Sequence, residues 1–133
     1  MADEKRVTIA SDADIVTARQ QGRTVAAEMG FQATDLALIA TAISELARNI
    51  VRYAGCGEIQ LTLLNDGNKR GLQVVASDSG PGIPDIDRAL ESGYSTSGSL
   101  GLGLPGVRRL MDDMEIHSEV GKGTTVKARK WRR

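Results

Sequence analysis

Leu72-Gln73-Val74-Val75-Ala76-Ser77-Asp78-Ser79-Gly80-Pro81-Gly82 is the stretch on which the reading of this chain turns. The run from Leu72 to Ala76 alternates well enough to form a strand, which places Asp78 at or just past its end, facing the cavity that the sheet lines. Gly80 and Gly82 carry no Cβ to keep another molecule off the backbone, and Pro81 stiffens the turn between them. A flat slot with one anionic acceptor at its floor suits an adenine ring, whose amino group donates to the carboxylate while its faces lie against peptide and aliphatic groups. The same residues also make an ordinary turn, so the rest of the chain has to decide between the two.

Working outward, Glu58-Ile59-Gln60-Leu61-Thr62-Leu63-Leu64 also alternates, and the polar turn Asn65-Asp66-Gly67-Asn68 joins it to Leu72–Ala76 as an antiparallel hairpin. Before the hairpin, Thr34-Asp35 opens a helix expected to run to about Tyr53, with Leu36, Ile39, Ala40, Ile43, Leu46, Ala47 and Ile50 forming its buried stripe. Another face carries Thr41, Ala42, Glu45, Arg48, Asn49 and Arg52. Glu45 and Asn49 lie one turn apart and present oxygen atoms at a fixed height, a pairing suited to Mg²⁺ and water or to a plain polar face. Near the N-terminus, Arg6–Ala10 is β-prone, and Ser11-Asp12 offers a cap for a first helix expected to end at Gly30. Arg19 and Arg23 share one stripe of that helix, read either as solvated surface or as a partner-binding stripe.

Beyond Gly82, Pro84-Asp85 begins a short helix through Leu90, and Glu91 to Leu100 is polar and aperiodic, a loop of the kind that carries function. Gly101-Leu102-Gly103-Leu104-Pro105-Gly106 then opens an amphipathic helix through Val107, Leu110 and Met111. A glycine-lined helix N-terminus is suited to phosphate, because free N–H groups and the positive end of the dipole point outward together. The spacing also matches a dinucleotide-binding fingerprint, but no buried strand precedes it and too little chain remains after it for a crossover and a second parallel strand. Met114–Val120 and Thr124–Trp131 read as closing strands joined by Gly121-Lys122-Gly123. His117 and Cys56 are assigned structural or surface roles.

With 133 residues the chain has the length of one domain with one real core. Lys plus Arg balances Asp plus Glu at 17 each, which gives no electrostatic case for nucleic acid or a membrane surface. Aromatic content of 3% excludes stacking platforms for single strands. A lone cysteine and the lack of a long apolar stretch point to the cytoplasm.

Three of these stretches together resemble motifs of the Bergerat-fold (GHKL) ATPases: Glu45-Leu46-Ala47-Arg48-Asn49 the N box, Asp78–Gly82 the first glycine box, and Gly101-Leu102-Gly103 the second. Gly123-Thr124 resembles the group's closing Gly-Thr. More narrowly, the whole chain is similar to the RsbT-type switch kinases of bacterial stress signalling, notably in Ala42–Ile50, Gly80–Ile86, Tyr94–Gly98 and Gly103–Val107.

The resemblance implies an α/β (α+β) two-layer sandwich, with helices on one face of a mixed, mostly antiparallel sheet. It also implies ATP with Mg²⁺ held between helices and a lid. Asp78 would accept from adenine, supported by Thr124, and Asn49 would ligate Mg²⁺. Glu45 would orient or deprotonate the attacking hydroxyl. Gly80, Gly82, Ile83, Gly98, Gly101, Leu102 and Gly103 would line the nucleotide, with Arg52 near its phosphate tail. The lid from Ile86 to Leu100 has Arg88 as its one basic residue. The function implied is a serine/threonine kinase acting on STAS-domain antagonist proteins and activating a PP2C-type phosphatase. A regulatory binding protein that uses ATP as a switching ligand is the alternative, and label transfer separates the two.

Overall fold

The computed structural model describes residues 4–83 and 103–132. The expected helix from Pro84 to Leu90, the lid with Arg88, and Gly98, Gly101 and Leu102 lie outside the described residues. The chain runs β1 (Glu4–Ile9), α1 (Asp12–Glu28), α2 (Ala33–Asn49), a π-helical turn (Ile50–Ala54), β2 (Gly57–Asp66), β3 (Lys69–Asp78), α3 (Gly103–Leu110), β4 (Asp113–Glu119) and β5 (Gly123–Trp131).

The five strands lie in the order β1-β2-β3-β5-β4, and every described pairing is antiparallel. The parallel component expected of a mixed sheet is absent from these pairings for a topological reason. After β3 the chain crosses by way of α3 and returns in β4 pointing the same way as β3, but β5 turns back and inserts between the two. The parallel relation survives in direction and not in hydrogen bonding. The β2–β3 hairpin closes tightly, with Asp66 opposite Lys69 and a positive φ of 62° at Gly67 only, as a glycine-first two-residue turn requires.

One face of the sheet is covered by helices and one is open. Along β3, Leu72, Val74 and Ala76 are buried while Gln73, Val75 and Ser77 are half-buried, the period of two that assigns a strand's faces. Ile59 and Leu61 of β2 and Val126 and Ala128 of β5 extend the inner face, which meets Ile39, Ile43, Leu46 and Ala47 of α2. α2 packs against both α1 and α3. Gly22 of α1 allows the close approach, since a Cβ there would strike the Ile43 side chain.

The helix ends refine the sequence reading. At the start of α1 the cap comes from Asp14, whose Oδ2 accepts from the Ala10 N–H at 2.8 Å and from the Ser11 hydroxyl at 3.3 Å. At its end Gly30 takes φ 90°, with Phe31 N–H to Ala26 O and Gly30 N–H to Ala27 O, the paired bonds of a Schellman cap. α2 does not continue regularly to Tyr53. It stops at Asn49, and the wider turn after it is closed by Gly55 N–H to Ile50 O at 2.9 Å. Such turns insert a residue and rotate the chain beyond them. Here Ile50 stays in the core while Ala54 comes against the loop after β3.

One buried cation tightens the far end of the core. Lys130 Nζ donates to Leu110 O at 2.9 Å and lies 3.7 Å from Asp112 Oδ1. A positive group on the last carbonyls of α3 also suits the negative end of its dipole.

Candidate functional site

Asp78 ends β3 with Gly57 opposite it in β2 and Thr124 opposite it in β5. Its Oδ1 accepts from the Gly80 N–H at 2.9 Å, an Asx-type turn that fixes the carboxylate at the strand's end. Asp78 is half-buried. Ser118 of β4 is the residue that sequence reasoning missed. Its hydroxyl accepts from the Ile83 N–H at 2.7 Å, lies 2.9 Å from Thr124 Oγ1, and donates to Gly123 O at 3.2 Å in one arrangement. The signal was available, because Ser118 continues the inner-face alternation of Met114 and Ile116, and a hydroxyl on an apolar face needs a partner.

The glycines of this region admit close packing within the protein. A Cβ at Gly80 would lie 2.6 Å from the Ala54 Cβ, and one at Gly82, where φ is 80°, would lie 2.5 Å from Glu119 O. At Gly123, with φ 121°, it would fall on Asp78 O. Gly121 N–H also donates to Pro81 O at 2.8 Å. The absent side chains therefore let the loop 78–83 press between the π-helical turn and the β4–β5 turn. Ile83, expected to face a ligand, gives its N–H to Ser118 and rests partly on the core.

Glu45 and Asn49 occupy the last turns of α2. Glu45 is buried, and its Oε1 accepts from Arg48 Nη1 at 2.5 Å. Asn49 is half-buried and is the last α-helical residue. The two motifs meet through the π-helical turn: a Cβ at Gly57 would contact both Ile50 Cγ2 and Asp78 Cβ, and Ala54 touches the Gly80 position. So the π-helical turn that follows α2 and the loop after β3 are neighbours. Gly103 opens α3. Arg52 is exposed, and with Arg48, Asp12, Ile15, Val16 and Val51 it lines an open cleft of about 400 Å³ between α1 and the end of α2. Arg19 and Arg23 are exposed on α1.

Among the described residues the displaced ionisations lie elsewhere, on the sheet's margins and open face. Glu115 is held below the usual carboxylate range by a hydrogen bond from Arg129 and then by that residue's charge, and Arg129 is raised by Glu115 and Asp113 in turn. Among the described residues no cluster of three or more His, Cys, Asp or Glu could hold a metal. A site in which Asn49 supplies one oxygen, with nucleotide oxygens and water completing the shell, needs no such cluster. No described helix is long and apolar enough to cross a membrane.

Residues 9–130 match the family described as histidine kinase-like ATPase domain. The chain is 55% identical, over the full length of both proteins, to the serine/threonine-protein kinase RsbT of Bacillus subtilis. It is 31% identical over 112 residues to an anti-sigma F factor of Thermoanaerobacter, covering 80% of this chain and 77% of that one. Among solved structures it is similar to the RsbU and RsbW domains of a Mycobacterium tuberculosis protein, with a TM-score of 0.67 and 22% identity, over 99% of this chain and 33% of that one. The mycobacterial sensor histidine kinase MprB matches with a TM-score of 0.56 and 16% identity, over 98% of both chains. At these identities the structural likenesses establish the fold.

Proposed function

The chain belongs to the histidine kinase-like ATPase family, among its RsbT-like serine/threonine kinases, and from that premise we propose that it transfers the γ-phosphoryl of ATP to a serine or threonine of small STAS-domain antagonist proteins. In this reading residues 1–133 act as one cytoplasmic domain that also binds and activates a PP2C-type phosphatase. The observation that supports the proposal is that the π-helical turn directly after Asn49 lies against the Asp78 loop, with Ala54 at Gly80 and Ile50 beside Gly57 and Asp78.

Asp78 Oδ1 is engaged by Gly80, which leaves Oδ2 to accept from the adenine amino group. Guanine presents an oxygen at that position and is rejected. Thr124 sits across from Asp78 in the ladder and supports the same edge of the base. Gly80 and Gly82 line the base beside Asp78, and backbone N–H groups around Gly98, Gly101, Leu102 and Gly103, with Arg52, receive the phosphates. Asn49 holds Mg²⁺, which when bound neutralises phosphate charge. Glu45 accepts the proton of the attacking hydroxyl, and because phosphoryl transfer is mostly positioning and electrostatics, the fixed end of α2 supplies the orientation. Arg19 and Arg23 form a cationic stripe that steers an acidic partner surface toward the site.

The test is to mix the purified chain, labelled ATP and a STAS-domain antagonist. Label on a Ser or Thr of the antagonist, abolished when GTP replaces ATP, is the expected result. Tight binding without transfer would make the chain a nucleotide-switched binding protein instead.

A further inference from the structure

Arg48 has no role in the transfer scheme, yet its Nη1 stands 2.5 Å from Glu45 Oε1. Pairs three residues apart are common on solvated helix faces, where they contribute little. This one differs because the Glu45 side chain is only 10% exposed. A carboxylate stripped of most of its water needs a partner, and losing that partner is costly. The pairing is also one-sided: Arg48 meets Oε1, and no buried side-chain oxygen among the described residues lacks a partner, so Oε2 is the oxygen left open to an incoming group. Rotation about the last torsion of a glutamate is otherwise broad. Pinning one oxygen sets where the other points.

Resting on the assignment of Glu45 as the base, we propose that Arg48 is a positioning residue for phosphoryl transfer, holding Glu45 by Oε1 so that Oε2 faces the acceptor hydroxyl. In the step, the acceptor oxygen bonds to the γ-phosphorus as the bond from that phosphorus to the β–γ bridging oxygen breaks. The hydroxyl proton passes to Glu45 Oε2, and ADP leaves with the electron pair of the broken bond. Arg48 acts through Glu45. Arg48 also lines the cleft shared with Arg52, Ile15, Val16 and Val51, and at 38% exposure it is the more open half of the pair, with Glu45 reached only through the 10% of its side chain that remains exposed.

The test uses the full chain with ATP and a STAS-domain acceptor, comparing Arg48→Gln, Arg48→Lys, Glu45→Gln and the double variant Glu45→Gln/Arg48→Gln. Arg48→Gln should lower kcat by roughly tenfold to 10²-fold, the scale of a misplaced catalytic group, with the KM for ATP unchanged. Arg48→Lys should recover part of the loss. In the Glu45→Gln background, Arg48→Gln should cost nothing more, since residues that act as a unit are not additive. Circular dichroism checks folding, and if Arg48→Gln does not fold, the double variant carries the test because it removes both charges. A parent-like kcat for Arg48→Gln, or an equal further loss in the double variant, overturns the positioning role. Parent-like transfer by Glu45→Gln removes the base assignment itself, a distinguishable result.

Discussion

The two ends of the candidate site are held by opposite means. At the Asp78 end, loop 78–83 is fixed by backbone contact: glycines admit Ala54, Glu119 and Asp78 to distances that no side chain would allow, and Ser118 and Gly121 add hydrogen bonds. At the Glu45 end, the carboxylate is held by one side-chain pair with Arg48. Backbone fit makes a rigid cradle, suited to recognising a base whose shape does not change. A side-chain pair fixes one carboxylate oxygen and leaves the other to meet an acceptor on another protein. The first should fail by losing structure or affinity, and the second by losing rate.

The largest effect is expected at Gly123. Gly123→Ala places a Cβ on Asp78 O at φ 121° and should destabilise the fold by roughly 3 kcal/mol or more, read as a lowered urea midpoint. Gly67→Ala, at φ 62° with nothing within 4 Å, should cost only about 1 kcal/mol, which separates the collision from the backbone strain. Equal losses in the two variants would mean that the loop is not held by backbone fit. Next, Asp78→Asn keeps the size but replaces an acceptor with a mixed group. ATP affinity measured by calorimetry should fall by about 1.5–3 kcal/mol, the range for hydrogen bonds to a charged group. Unchanged affinity would take Asp78 out of the adenine site. Smallest, reversing Arg19 and Arg23 to Glu should weaken antagonist or phosphatase binding by roughly tenfold, about 1.4 kcal/mol, and leave ATP affinity alone. Unaltered partner binding assigns both to plain solvated surface.

Much of this was legible in the sequence. Period-two runs gave both strands of the β2–β3 hairpin, and the three- and four-residue recurrence gave the buried face of α2 as far as Ile50. The order of Glu45–Asn49, Asp78–Gly82 and Gly123-Thr124 indicated one site, and Asp78–Gly82 does lie against Ala54 on one side and Gly123 on the other. The features that stayed hidden depend on tertiary contact. The π-helical turn has no pattern of its own, because the apolar recurrence of α2 runs on into it through Ile50. The packing of Ala54 and Glu119 at Gly80 and Gly82 was hidden, since sequence shows that a Cβ is missing but not which atom of the protein uses the space. Ser118 and Lys130 act through partners far along the chain, and Arg48 looked like one more charge on a polar face until the burial of Glu45 gave its pair a different meaning.

The most direct measurement compares transfer and binding in one variant, Glu45→Ala, against the parent chain. Labelled phosphate passed from ATP to a STAS-domain antagonist is timed, and ATP affinity is determined on the same preparations. The account predicts transfer slowed by about 10²-fold or more, as for loss of a positioned base, with nucleotide affinity nearly unchanged. Transfer at the parent rate would contradict it and reduce Glu45 and Arg48 to a paired patch on the face of α2.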